Sequence, residues 1–301
     1  MTQQGLVILF ALLAAVCMAI GIVVRQRATM DVPEDQGVSA TMVKTLLRKR
    51  LWWIGTTVAL MGYVWQALAL VEGSLLVVQP LLVASLLFAL PLSARLAGRR
   101  VTPPEWAWAI VLTASLAIFV IIARPRPGLY RNQDLAWSIA AAVIAPIVLF
   151  CVLYGARTRG TRRAVLIAIA VGVLFGVNAV LTKLVMYELA EDGALAVLML
   201  PGLYFLVALG ICAMVLQQSA FHAGALQTSV PTMLVLEPVV AVSLGSLVLN
   251  EHLSVHGYET IALPITIAVM TVATIMLGRD EGAYEEQLEA ELSLRSASHS
   301  T

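Results

Sequence analysis

Long apolar runs separated by short polar connections account for almost the whole chain. Nine runs stand out: about 5–24, 52–71, 74–94, 105–123, 135–154, 164–187, 194–216, 224–249 and 258–278. A helix needs roughly 20 apolar residues to cross a bilayer. Runs of this length do not alternate with period two, so they predict helices rather than the strands of a barrel. The expected fold is an all-α membrane protein with nine transmembrane helices. Residues 1–278 form one transmembrane transporter domain and 279–301 an acidic cytoplasmic tail, with no room for a soluble domain between spans.

The runs also repeat. Gly73 precedes Pro80 by seven residues in GSLLVVQP, and Gly224 precedes Pro231 by seven in GALQTSVP. The first run, ALLAAVCMAIGIVVRQ, resembles the sixth, AIAVGVLFGVNAVLTK. Spans 1–4 therefore match spans 6–9, in halves of about 5–123 and 164–278, with an extra helix at 135–154. Because one helix separates the halves, they enter the membrane in opposite directions. Inverted halves place a solute site at their interface near the midplane.

Composition agrees with this class. The 301 residues are 60% hydrophobic and 12% charged, with a mean hydropathy of +0.91. The net charge of +1 says little; its distribution says more. Alternating the loops from a cytoplasmic 25–51 connection puts fifteen Lys and Arg residues inside and three, Arg124, Arg126 and Arg131, outside. The excess of cations marks the cytoplasmic side. It predicts an outside N-terminus and a cytoplasmic C-terminus in a cytoplasmic membrane. The first run follows an uncharged flank, so it reads as a retained helix rather than a signal peptide.

One residue stands out within the spans. Glu237 lies about 14 residues into the eighth run, or roughly 20 Å at 1.5 Å per residue. A carboxylate at that depth is costly and by default marks a solute or proton path. Pro231 and Pro238 flank it, each removing a backbone donor. With Pro80, they are the expected helix breaks. Lys183 is the cation inside a span; it reads as a side chain snorkelling to water, a counter-ion to Glu237 or a contact for an anionic solute. Asn178 lies about one turn deeper, beside a Gly172/Gly176 pair that reads as a packing surface. Gln79, Tyr63, Gln66, Gln217, Gln227 and Ser229 are candidates for a polar lining.

The sequence around Glu237, LVLEPVVAVSLGSLVLNEHLS from Leu234 to Ser254, resembles the second-half signature of EamA-type transporters of the drug/metabolite transporter superfamily. The shared features are the Glu-Pro pair, the small residues after it and Glu251 at the next loop. The resemblance implies an inverted-repeat bundle that moves a small organic solute, metabolite or drug; the depth of Glu237 suits it either to proton-coupled exchange or to a structural hydrogen bond with a neighbouring helix. The nine-span layout with an outside N-terminus also resembles NIPA-type magnesium transporters. In the first half Arg99 and Arg100 stand where the family pattern has an acidic loop residue, a departure from strict symmetry.

Other chemistry is weakly represented. Cys17, Cys151 and Cys212 sit in apolar runs as small packing residues. His252 and His256 would share a face only on a helix, so no metal site is assigned. No P-loop, hydrolytic constellation, cofactor motif or nucleic-acid surface is present, and no catalytic residue or enzyme activity is assigned. The expected partners are the lipid bilayer and a small-molecule or ion substrate, with a homodimer left open. The segment 36–50 reads equally as an amphipathic surface helix or a basic loop. A non-transporting membrane scaffold, acting through that segment or the acidic tail, is the remaining alternative.

Overall fold

The computed structural model describes residues 3–30, 47–96, 100–126, 128, 134–158, 160–222, 226–254 and 257–299; within these, the side chains of 3, 26–30, 134, 221–222, 226–227 and 280–299 are not described. The 36–46 part of the basic segment, Gln227, His256 and the acidic side chains of the tail therefore lie outside the description. Among the described residues, nine segments are long and apolar enough to cross a membrane. The chain is an all-α, multi-pass membrane protein.

The helices are α1 (Gln3–Met30), α2 (Arg50–Glu72), α3 (Leu75–Leu82), α4 (Ser85–Leu96), α5 (Pro103–Ile122), α6 (Asp134–Arg157), α7 (Thr161–Met199), α8 (Pro201–His222), α9 (Leu226–Leu247) and α10 (Glu259–His299). The third span consists of α3 and α4 together. All eight residues of α3 are buried, so this short helix is the centre of the bundle. Val77, Val78 and Leu81 on α3 share one apolar core with Ala14 of α1, Phe119 of α5, Val180 of α7 and Leu244 of α9. At the opposite extreme, α6 exposes Leu135, Ile139, Val143, Leu149 and Phe150. That is the surface expected of a peripheral helix facing lipid acyl chains.

The third span is not one regular helix. Backbone bonds at its centre run three residues back: Val83 to Pro80, Ala84 to Leu81, Leu86 to Val83 and Leu87 to Ala84. Pro80 has no N–H, and the tighter turns that follow re-satisfy backbone groups a regular helix would satisfy differently. By contrast, α9 remains helical through both Pro231 and Pro238. At the far end, Thr102 and Glu105 start α5. The Glu105 carboxylate accepts from the Thr102 amide at 2.6 Å and its hydroxyl at 3.0 Å.

One boundary differs from the pattern reading. The polar segment 188–193 looked like a loop between spans at 164–187 and 194–216. Instead α7 continues through it and bends at Gly193, where φ is 83° and ψ is 178°. That backbone region is essentially open only to glycine. The seventh span begins later, at Pro201, whose fixed φ suits a first helical position. Two short strands, β1 (Pro125–Arg126) and β2 (His252–Leu253), pair antiparallel, with Pro125 opposite Leu253 and Arg126 opposite His252. His252 is thus extended, and its Nε2 donates to Asn250 Oδ1, 2.9 Å away. The helical face needed to pair it with another imidazole is not formed there.

Small residues let helices approach closely. A Cβ added at Gly21 of α1 would lie 2.7 Å from the Cβ of Ala59 on α2. A Cβ at Gly176 of α7 would lie 2.7 Å from Val240 Cβ and 2.9 Å from the Glu237 carbonyl of α9. The Gly172/Gly176 pair is therefore a contact surface for the helix that carries Glu237. Gly176→Ala should destabilise the protein by about 1–3 kcal/mol through overpacking. Gly202→Ala, where the nearest atom is 3.5 Å away, is the matched control. Thermal unfolding in detergent separates the two, and equal midpoints would show that the α7–α9 contact is not tight.

Candidate functional site

Glu237 borders a cavity of about 90 Å³ lined by residues of α1, α2, α3, α4, α7, α8 and α9. Each contributing face follows from helix periodicity. On α1, Met18, Ile22 and Arg25 follow one another at spacings of four and three and line it together. On α9, two pairs four apart, Met233 with Glu237 and Leu234 with Pro238, line it. Gln79, Leu82, Val83 and Ser85 reach it from either side of the step in the third span. Tyr63 of α2 and Gln217 of α8 complete the polar part. Pro238 has no N–H, so the Leu234 carbonyl beside the cavity lacks its usual helical partner.

The polar groups here are poorly satisfied. The half-buried Glu237 carboxyl has no hydrogen-bond or ion-pair partner among the described residues. Gln79 is 1% exposed, and its Nε2 also lacks a partner. Arg25 is buried and uses Nε for a bond of 3.3 Å to the Gly21 carbonyl of its own helix. Tyr63 stands within electrostatic reach of both Glu237 and Arg25. Buried donors and acceptors without partners cost free energy, so they are uncommon in folded proteins unless a ligand or water completes them.

A second polar cluster, at the far end of the bundle, has the opposite character. Ser74 caps α3, its hydroxyl accepting from the Leu76 amide at 3.1 Å. The same hydroxyl donates to Glu251 Oε2 at 2.6 Å. Glu251 is fully buried, and its amide donates to the Gly245 carbonyl at 3.0 Å. Lys183 donates to the Leu70 carbonyl and, at 2.8 Å, to that of Gly73. These carbonyls end α2, where helical carbonyls are unpaired and the dipole favours a cation. Glu251 and Glu72 are close enough to attract the ammonium electrostatically. On the surface nearby, the Ser254 amide donates to the Arg124 carbonyl at 2.8 Å, and Arg124 lies 3.6 Å from Glu259.

The sequence-derived candidates divide accordingly. Glu237, Gln79 and Pro238 meet at the cavity, with Tyr63 and Gln217. Lys183 does not line it. Lys183 is 5% exposed, so the snorkelling expectation fails. Its ammonium is held by the end of α2, which no pattern along the chain places next to it. Asn178 points toward Gly210 of α8, where its amide nitrogen is 3.4 Å from an added Cβ. Ser229 is fully buried with an unpartnered hydroxyl, but it is not part of the cavity lining. Pro80 borders a neighbouring apolar cavity, and Pro231 packs against Gly278 of α10. Arg25 went unrecognised as a site residue, because as a cation after an apolar run it read as part of the charge bias. Its spacing from Met18 and Ile22 was the available signal.

The Lys183–Glu251 cluster makes its own prediction. Lys183→Met leaves Glu251 buried without its cation and should cost about 3–5 kcal/mol. Glu251→Gln in that background should then cost less than it does alone, because neighbouring groups couple by about 0.5–3 kcal/mol. Denaturant unfolding of the two single variants and the double variant gives the coupling. Strict additivity would mean that the two charges do not interact.

No family model matches the chain, and no solved structure is similar to it. One relative aligns over nearly the full length. It is the uncharacterized protein Cgl0250/cg0304 of Corynebacterium glutamicum (strain ATCC 13032), 36% identical over 279 residues, which cover 93% of this chain and 96% of the relative. The chain belongs to the same family as Cgl0250/cg0304 of Corynebacterium glutamicum.

Proposed function

We propose that the protein is a secondary transporter of a small organic solute, with Glu237 as the group that binds solute or proton. The observation that carries this reading is the cavity at which an unpartnered membrane carboxyl meets polar side chains from both halves of the chain. The resemblance of Leu234–Ser254 to the EamA-type signature points the same way. So does the repeat: α3 and α9, which carry the matched Pro80 and Pro231, stand side by side in the bundle. In this reading the halves are inverted repeats and the cavity lies between them.

The reading includes an orientation in the cytoplasmic membrane. With an outside N-terminus, Arg25 and Gln217 mark the cytoplasmic end of the cavity. The Ser74–Glu251 and Lys183–Gly73 bonds then close the outer end. The arrangement is that of an inward-facing carrier. A magnesium pathway fits less well, because the cation prefers several oxygen ligands, whereas this cavity is bordered by one carboxyl and by a guanidinium. For the orientation, cysteines at Glu191 and Arg100 should react with impermeant reagents from opposite sides, with Arg100 cytoplasmic. Labelling of both from the same side would refute it.

The mechanism is tested at Glu237. Glu237→Gln keeps shape and hydrogen-bonding capacity but cannot titrate. In proteoliposomes screened with metabolites and drugs, the wild type should concentrate a solute in response to a pH gradient. The Gln variant should insert normally and lose that response, retaining at most downhill exchange. Full gradient-driven flux in the variant would remove the coupling role. Absence of flux of every solute and ion in the wild type would favour a scaffold.

A further inference from the structure

We propose that the solute is a small zwitterion with an apolar arm, its head between Glu237 and Arg25 and its arm in a second cavity. This rests on the transporter reading of the same site. Charge points to the head group. The polar cavity presents one carboxyl and one guanidinium, and neither is paired with the other or with another side chain among the described residues. A simple cation would match Glu237 but place like charge near Arg25. A simple anion would meet the reverse problem. A zwitterion satisfies both, with its ammonium on Glu237 and its carboxylate on Arg25. The unpartnered Nε2 of Gln79 supplies a further donor to that carboxylate.

The neighbouring space points to the arm. A cavity of about 100 Å³ lies on the other side of Val83, Leu234 and Pro238, which border both cavities. Its other walls include Phe119, Val242 and Met270. Thr271 and Thr274 also border it, but their hydroxyls donate to the Ile267 and Met270 carbonyls of their own helix. The space therefore offers hydrocarbon contact and no free donor. Its shared wall coincides with the two irregular points of the backbone, the step at Val83 and the missing donor at Pro238. An ionic compartment joined to an apolar one by a yielding wall matches an amphipathic solute.

The test is a binding series on the purified full-length protein, read by calorimetry: glycine, L-alanine, L-norvaline and L-norleucine, with pentylamine and hexanoate as one-charge analogues of norleucine. Affinity should rise about fourfold per methylene while the arm fits. Each one-charge analogue should bind about tenfold or more weakly than norleucine. Arg25→Gln should abolish the preference for norleucine over pentylamine. Val242→Phe, which fills the apolar cavity, should flatten the rise, and Met270→Ala should extend it to longer arms. Either cavity variant serves if the other fails to fold. A flat wild-type series, equal binding of a one-charge analogue, or no binding at millimolar concentration would each overturn the proposal. Flux measured in parallel separates the two readings. Ordered binding without flux leaves the site and removes transport. Flux of other solutes without zwitterion binding does the opposite.

Discussion

Burial of polar groups where no water can reach them governs this structure. In hydrocarbon, each backbone or charged group must find its partner within the protein. The junction of Lys183, Ser74 and Glu251 meets that demand at one point for four helices. Lys183 of α7 neutralises the carbonyl end of α2. Ser74 starts α3 and binds the carboxylate that follows α9. The connection between α2 and α3 is only Gly73 and Ser74, so without these bonds that turn would place unpaired carbonyls and a buried carboxylate in the core. The central position of α3, with all its residues buried, depends on this anchor.

Glu237 and Glu251 lie fourteen positions apart on one segment of chain and are treated in opposite ways. Glu251 is enclosed, hydrogen-bonded and attracted to a cation. Glu237 faces a cavity and has no partner among the described residues. A fold able to satisfy one buried carboxyl completely is not incapable of satisfying the other. The difference assigns Glu251 to the framework and leaves Glu237 for something the framework does not contain.

Much of the fold was legible from the chain, and the reason is the bilayer constraint itself. Length and apolarity locate a span whatever its neighbours are, so the nine runs correspond to nine helical segments among the described residues. The boundary at 188–199 differs because the helix continues through polar residues and bends at a glycine whose φ is not visible in a hydropathy pattern. The site was half legible. Glu237 announces itself by cost, and Gln79, Tyr63 and Gln217 by polarity in apolar runs. Lys183 carried the same signal, but its partner is a pair of backbone carbonyls 110 or more positions away, and no side-chain pattern encodes that. Arg25 was hidden because one residue meets two demands: it adds to the charge bias and faces the cavity.

The distribution of rigid and yielding contacts ties the two polar regions together. Gly21, Gly55 and Gly62 lock α1 to α2, and Gly172 and Gly176 lock α7 to α9, at distances that leave no slack. The helix between these pairs is α3. Its first turn holds Ser74 against Glu251, and its last turns carry Gln79 and Leu82 at the cavity. Eight residues of helix span roughly 12 Å, and a short helix moves as a unit more readily than it bends. The three-residue turns at Val83 and Ala84 interrupt the regular helical bonding between it and α4. Under the transporter reading, a shift of Ser74 away from Glu251 would be felt at Gln79, and a solute pressing on Gln79 and Val83 would be felt at Ser74. Under the transporter reading, α3 is the element through which occupancy of the cavity reaches the closed end.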